Sequence, residues 1–135
     1  MTEAKFKVYF MGGATRESLA DTIEELDRVG AVLEVLPALQ REEEIIEKTG
    51  DADALILSNS PITRHVLSSL KNCKVVLRTG VGYDVIDVPA ATDLGIAVVN
   101  LPDMWTREVA NQAMALLMAC NRKVVELDAD IKSGQ

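Results

Sequence analysis

The sequence predicts an α/β fold built on one parallel β-sheet. Five short runs are apolar at nearly every position, which is typical of parallel strands that are covered on both faces. Stretches with the spacing of amphipathic helices separate these runs, so helices are expected to connect successive strands. The chain has 135 residues, of which 48% are hydrophobic, and this is enough for one domain with a buried core.

Strands and helices alternate along the chain. The strands are predicted at residues 6–11, 31–36, 53–58, 73–78 and 95–100. Helices are predicted at residues 15–30, 41–50 and 63–70, a helical turn at 88–94, and a long helix at 106–131. Five strands of this kind indicate a flavodoxin-like, doubly wound sheet, in which ligands bind beyond the carboxyl ends of the strands. The segments at those ends are residues 11–14, 58–61, 78–84 and 100–105.

Polar side chains and glycines predict where the helices begin and end. Threonine and aspartate oxygens can accept hydrogen bonds from the free N–H groups of a first helical turn, and glycine readily follows a last turn. The candidate caps are Thr15, Thr63 and Asp87, and the candidate stops are Gly30, Gly50 and Gly95.

The long last helix has an unusual composition. From Val109 to Cys120 it is apolar on nearly every side, and a helix of that kind is buried on more than one face. One small sheet covers a single face, so the pattern predicts either a homodimer formed through residues 106–131 or contact with a further domain. The chain is therefore divided into a sheet domain at residues 1–103 and a linking helix at 104–135.

Composition excludes several classes of partner. Fourteen basic and 21 acidic residues give a formal net charge of −7, which disfavours nucleic acid and anionic membranes as partners. The first residues lack a signal peptide, and no run reaches the roughly 18 apolar residues of a membrane span, so a cytoplasmic protein is predicted. Cys73 and Cys120 lie in apolar surroundings that predict buried free thiols, and no ligand spacing suggests a metal.

A glycine-containing segment follows the fourth predicted strand, as a nucleotide-binding loop would. It contains Gly80 and Gly82, but Val85 stands where a third glycine is required, and Asn100 stands where an acidic residue would hold a ribose. A phosphate cradle is therefore not expected. The two glycines can adopt positive φ angles and expose successive N–H groups to a small carboxylate, and the alternative is a tight turn that simply needs glycine.

Nearby residues leave alternatives open. Arg78 is expected either to help hold an anionic substrate or to pair with Asp84 across the loop. Residues 59–63 either shape a pocket or form a proline-containing turn that caps the next helix, and the second interpretation is favoured. His65, the one histidine of the chain, is expected at the surface rather than in a catalytic role.

Beyond single motifs, the second half of the chain resembles the D-isomer-specific 2-hydroxyacid dehydrogenases. The similarity is sharp over residues 74–135 and diffuse before them. It is carried by Arg78-x-Gly80-x-Gly82-x-Asp84, Ile86-Asp87, Ala90-Ala91-Thr92, Gly95-Ile96, Asn100-x-Pro102 and Thr106-x-x-Val109-Ala110. The resemblance implies a flavodoxin-like substrate domain, a Rossmann domain inserted after it, and a final helix that returns to the first domain. It also implies NAD or NADP as cofactor and reduction of 2-keto acids to D-2-hydroxy acids.

The resemblance also assigns roles to residues. The substrate carboxylate would bind the loop, with Arg78, Gly80, Val81 and Gly82 as substrate-binding residues. Val81 would also lie close to the nicotinamide, and Thr106 would contact the cofactor. The apolar helix would pack on the Rossmann domain and on a partner subunit. The sequence departs from the family pattern at Val85, where asparagine is usual, and at Asn111, where an acidic residue is usual.

The same resemblance predicts that this chain is an N-terminal fragment. The family's GxGxxG motif and its catalytic arginine, glutamate and histidine come after the position of Gln135. The chain alone is thus expected to contain no catalytic residue, to bind no metal or cofactor, and to be inactive. The alternative is a stand-alone flavodoxin-like module that binds a small acid or dimerises without catalysis.

Overall fold

A computed structural model of the protein describes residues 6–134. These residues form two compact units, one ending at Leu101 and one beginning at Pro102. The strands are β1 (Phe6–Met11), β2 (Ala31–Leu36), β3 (Ala54–Leu57), β4 (Val75–Arg78) and β5 (Ala97–Val99). The helices are α1 (Ala20–Arg28), α2 (Glu42–Thr49), α3 (Arg64–Ser69), α4 (Val88–Asp93), α5 (Thr106–Asn121) and α6 (Val124–Ser133).

The first unit contains one five-stranded sheet with the order β2-β1-β3-β4-β5, and every neighbouring pair is parallel. The strand order reverses direction once, between β1 and β3, as it does in flavodoxin-like sheets. The fold class predicted from the sequence is therefore confirmed, and the strand positions agree with the predicted runs, with β3, β4 and β5 shorter by a few residues.

The sheet is covered on both faces, as a doubly wound sheet requires. On one face, Val8, Phe10 and Leu33 pack against apolar side chains of α1. On the other face, a larger cluster joins β-strand residues to buried side chains of α2, α3 and α4, namely Ile45, Val66, Leu67, Ala90 and Ala91. Alternating strand residues supply the two cores because successive side chains point to opposite faces.

Two helix caps and two glycine stops are confirmed. The Thr63 side chain accepts a hydrogen bond from Val66 N at 3.4 Å, and Asp87 Oδ1 accepts one from Ala90 N at 2.9 Å. Gly30 and Gly95 have φ angles of 74° and 69°, in the left-handed region that glycine favours.

Two other helix ends differ from the expectation. The helix predicted from residue 15 begins with a 3₁₀ turn at Glu17–Leu19, where Thr15 Oγ1 accepts from Ser18 N at 3.3 Å. Thr15 thus bonds to the start of this tighter turn and does not cap α1. Gly50 follows α2 with a φ angle of −59°, so it stays in the right-handed region and provides no left-handed stop.

The second unit corrects the prediction of one long helix. Residues 106–131 form two helices, because the helix is interrupted at Arg122 and Lys123. Lys123 adopts a left-handed φ angle of 51°. The break falls where the all-round apolar pattern gives way to an amphipathic one. Before it, the N–H groups of Arg122 and Lys123 close the last turn of α5 onto Met118 O and Cys120 O.

Apolar side chains of α5 and α6 are largely exposed. The most exposed include Val109, Leu117, Val125 and Ile131, each more than half accessible. Cys73 is buried as predicted, but the prediction of a buried Cys120 is wrong, because Cys120 is exposed on α5. Within residues 6–134, none of the helices is long and apolar enough to cross a membrane.

Candidate functional site at the carboxyl edge

The loops at the carboxyl ends of the strands are tied together by backbone hydrogen bonds. Each bond joins a loop to the neighbouring strand or loop of the sheet. They run from Gly12 N to Leu36 O at 3.1 Å, Ser58 N to Met11 O at 3.0 Å, Thr79 N to Leu57 O at 2.8 Å and Leu101 N to Gly80 O at 3.0 Å. Four of the five strand ends therefore carry loops held in register, and the loop after β4 lies between those after β3 and β5.

In the loop after β4, the carbonyls of two successive peptide groups both face the segment that follows β5. The carbonyl of Gly80 accepts from Leu101 N at 3.0 Å, and the carbonyl of Val81 accepts from Asn100 Nδ2 at 2.7 Å. Both peptides are trans, so each N–H points opposite to its carbonyl. The N–H groups of Val81 and Gly82 therefore both point away from the segment that follows β5.

These two N–H groups donate no hydrogen bond within residues 6–134. Both residues are exposed, Val81 with 45% of its surface accessible. Two adjacent N–H donors without partners carry partial positive charge of the kind that suits a carboxylate. The carboxylate site predicted for this loop stays a prediction.

The reason for glycine in this loop differs from the expectation. Neither Gly80 nor Gly82 has a positive φ angle. Gly80 is buried, and a Cβ atom at that position would lie 1.5 Å from Arg78 Nη1. Glycine at position 80 therefore leaves space for a guanidinium and does not provide an unusual backbone turn. A Cβ at position 82 would lie 3.3 Å from Asp84 Oδ2, a much milder contact.

The guanidinium of Arg78 folds over Gly80 and reaches the loop after β3. Its Nη2 donates to Asn59 Oδ1 at 3.2 Å, and its buried Nε has no hydrogen-bond partner. Among the described residues Arg78 forms no ion pair, so the expected alternative of a bridge to Asp84 is not found. An arginine is always charged, and this one keeps donor capacity and charge beside the loop.

Of the two alternatives for residues 59–63, the structure supports the cap, and the pocket stays a prediction. Thr63 caps α3, which confirms the favoured interpretation, while Asn59 extends toward Arg78. Between them, Ser60 is fully buried and its Oγ has no hydrogen-bond partner. Asn59 and Asn100 make side-chain contacts at this edge that sequence reasoning did not assign. Asn59 lies two residues after β3 and Asn100 directly after β5, and these positions were the available signal.

Other candidates lie outside this cluster. Thr106 is the first residue of α5, in the second unit, and its contact with a cofactor stays a prediction. His65 is exposed on α3, as expected. In the part of the chain that the structure describes, there is no group of three His, Cys, Asp or Glu side chains that could hold a metal ion.

The fold defines a class, the α/β proteins with a flavodoxin-like parallel sheet. Within it, the profile described as "D-isomer specific 2-hydroxyacid dehydrogenase, catalytic domain" matches residues 9–127. The chain belongs to this family.

Relatives of known name support the assignment. The chain is 43% identical over 116 residues to a D-3-phosphoglycerate dehydrogenase of Methanocaldococcus jannaschii, covering 85% of this chain and 22% of the relative. It is 44% identical over 92 residues to a glyoxylate reductase of Korarchaeum cryptofilum, covering 67% and 28%. An acyclic imino acid reductase in complex with NADPH and D-arginine is 27% identical with a TM-score of 0.77, covering 96% of this chain and 41% of that one. The chain thus spans about a quarter of the length of these curated relatives.

Proposed function

We propose that the chain is the substrate-binding part of an NAD(P)-dependent oxidoreductase that reduces 2-keto acids to D-2-hydroxy acids. The observation that carries the proposal is the pair of unpartnered N–H groups of Val81 and Gly82 at the carboxyl edge. The family match and the names of the relatives support the reaction class. The share of the relatives that the chain covers supports a longer parent enzyme.

In this proposal the carboxylate of the keto acid accepts hydrogen bonds from Val81 N and Gly82 N. The Arg78 guanidinium adds positive charge beside them, and Gly80 keeps the space that the guanidinium occupies. Charge-assisted hydrogen bonds of this kind are about twice as strong as neutral ones. Carboxylate binding at the loop would hold the keto group at a fixed place relative to the sheet edge.

The nicotinamide cofactor fits one feature of this chain. The Val81 side chain is about half exposed beside the two N–H groups, which is an apolar surface suited to a flat ring. Val81 would contact the ring, and Thr106 would contact the cofactor at the start of α5. When bound, the cofactor supplies the hydride. The neighbouring imino acid reductase, which was solved with NADPH, supports a cofactor of this kind.

Catalysis by the chain alone is not proposed. The one histidine, His65, is exposed on α3, and no acid–base group is assigned at the loop. A proton donor for the keto group and the phosphate-binding glycines would come from a nucleotide-binding domain joined through residues 104–135. The exposed apolar side chains of α5 and α6 would be covered by that domain and by a partner subunit in a homodimer.

Binding can be tested on the chain as it stands. We expect pyruvate, added to the ¹⁵N-labelled protein, to shift the amide resonances of Val81 and Gly82 in a saturable way. Pyruvamide has the same shape without the charge, and it should leave both resonances in place. Equal responses to both compounds, or pyruvate shifts confined to other amides, would contradict the proposed carboxylate site.

A second measurement separates the proposal from a stand-alone binding module. The chain of 14.7 kDa should not oxidise NADH in the presence of pyruvate. A native protein of this same mass that binds pyruvate would favour the module, whereas a larger native protein that oxidises NADH would support the dehydrogenase.

A further inference from the structure

We infer that Asn100 is a positioning residue that orients the Gly82 N–H toward the bound carboxylate. This inference rests on the proposed function, because it concerns how the loop after β4 binds an anion. Its basis is the 2.7 Å hydrogen bond from Asn100 Nδ2 to the carbonyl of Val81. Asn100 itself contacts neither the keto acid nor the cofactor in this account; it acts through the peptide group between Val81 and Gly82.

The two N–H donors are held by contacts of different origin. The peptide between Gly80 and Val81 is held by a backbone donor, Leu101 N, at 3.0 Å. The peptide between Val81 and Gly82 is held by the Asn100 side chain. A planar trans peptide moves as one piece, so fixing the carbonyl also fixes the N–H on its other side. Asn100 therefore controls the Gly82 N–H and leaves the Val81 N–H to the backbone.

The second peptide needs such a restraint. Gly82 has no Cβ, so the backbone on that side of the peptide can rotate more freely than it could beside another residue. A cavity of about 180 Å³, lined by Tyr83, Val88, Val98 and Asn100, adjoins the Asn100 side chain. Without the amide of Asn100, the Gly82 N–H would sample several directions and bind the carboxylate less often.

The substitution Asn100→Ala tests this, with Asn72→Ala as matched control. Asn72 is an exposed asparagine before β4, at the opposite edge of the sheet. Pyruvate would be titrated into each ¹⁵N-labelled chain. For Asn100→Ala we expect the pyruvate-induced shift of the Gly82 amide to be lost, that of Val81 to persist, and the affinity to fall about tenfold. The unfolding temperature should stay close to that of the wild type, and Asn72→Ala should behave like the wild type throughout.

The outcomes distinguish the two claims. If the wild type itself does not respond to pyruvate, the proposed carboxylate site is wrong and the role of Asn100 falls with it. If the wild type binds and Asn100→Ala binds equally well, only the role of Asn100 is wrong. Loss of both amide responses together with a lower unfolding temperature would show a general structural role and overturn the inference. Should the alanine variant fail to fold, Asn100→Leu keeps a side chain of similar size without the donor and without a charge, and it should show the same selective loss at Gly82.

Discussion

Polar groups are paired at one edge of the sheet and unpaired at the other. The amino edge is the one at which the parallel strands begin, and the carboxyl edge is the one at which they end. At the amino edge, Asp51 accepts hydrogen bonds from the Lys7 ammonium and, at 2.8 Å, from the Tyr9 hydroxyl. Asp53 Oδ2 accepts from Lys7 N at 2.8 Å. The hydrogen bonds from Lys7 and Tyr9 stabilise the carboxylate form of Asp51 and lower its pKa, and the Lys7 bond is the larger cause. Burial, followed by the bond to Asp51, raises the pKa of Tyr9.

At the carboxyl edge, polar groups lack partners. The N–H groups of Val81 and Gly82, the buried Nε of Arg78 and the buried Oγ of Ser60 have no hydrogen-bond partner in the described chain. Two of these four groups, Arg78 Nε and Ser60 Oγ, are buried, and most buried polar groups in folded proteins are paired. The two N–H groups belong to exposed residues, and in the proposed function they are the donors to the ligand. A variant at the amino edge should therefore change stability, and a variant at the carboxyl edge should change pyruvate binding.

The largest expected effect is on stability, at the amino edge. Asp51→Ala removes the acceptor of the Tyr9 hydroxyl, and Tyr9 is only 7% exposed. Loss of one hydrogen bond at a partly buried hydroxyl costs about 0.5–1.5 kcal/mol, so the free energy of unfolding, measured in urea, should fall by that amount. Pyruvate binding, followed at the Val81 and Gly82 amides, should not change.

The matched control is Asp93→Ala. Asp93 also pairs with an exposed basic side chain, Arg64 at 2.8 Å, but it accepts no hydrogen bond from a tyrosine of the sheet. Its removal should therefore have little effect on stability. Equal losses of stability in the two variants, or weakened pyruvate binding in Asp51→Ala, would remove the distinction between the edges.

The next effect is on binding, at the carboxyl edge. Arg78→Met removes the positive charge beside the loop and keeps most of the side-chain length. We expect pyruvate affinity to fall about tenfold or more, measured by the same titration, because a charge-assisted contact is lost. The unfolding temperature should change little, since Arg78 forms no ion pair and one hydrogen bond, to the Asn59 side chain.

Arg28→Met provides the comparison for this charge deletion. Arg28 pairs with Glu24 and Glu25 on the exposed face of α1. Pyruvate should bind this variant as it binds the wild type. Arg78 would have no part in anion binding if both variants kept wild-type affinity, and it would be a structural residue if its loss mainly lowered the unfolding temperature.

A smaller effect is expected from the two loop glycines. Gly80→Ala places a methyl group 1.5 Å from the present position of Arg78 Nη1, so the guanidinium must move. The side chain is flexible, and we expect a loss of pyruvate affinity of about fivefold without a large loss of stability. Gly82→Ala meets only Asp84 Oδ2 at 3.3 Å and should change affinity less. Equal effects would show that the space over Gly80 is not the reason for that glycine.

Much of the fold was predictable because local patterns and tertiary structure agree. The buried strands are apolar on both faces, and the caps Thr63 and Asp87 act within four residues of their own position. The break at Lys123 was missed because its side chain has no special preference for a left-handed conformation. Helical periodicity continues on both sides of it.

The site was predictable only in outline. The glycines directed attention to the loop of the candidate site, but the reason given for them was wrong, because the Arg78 side chain folds back over Gly80. That folding depends on Asn59, which is 19 residues away along the chain. Asn100 contacts Val81 across the same separation. Spacing within one segment does not reveal contacts between loops that only the parallel sheet brings together.

The smallest expected effect concerns pH, and it also distinguishes the edges. The lowered pKa of Asp51 means that its carboxylate form is favoured in the folded protein. Its contribution to stability is therefore present above the ordinary aspartate pKa of about 3.9 and is lost as the pH falls through the lowered value. When the free energy of unfolding is measured at a series of pH values, Asp51→Asn should reduce its fall at acid pH. Pyruvate binding should stay constant from about pH 8 down into this acid range, for as long as the protein stays folded and pyruvate stays ionised, because peptide N–H groups do not titrate there and arginine stays charged. If pyruvate affinity fell with pH in parallel with the free energy of unfolding, the two edges would be coupled. The separation of their roles would then be wrong.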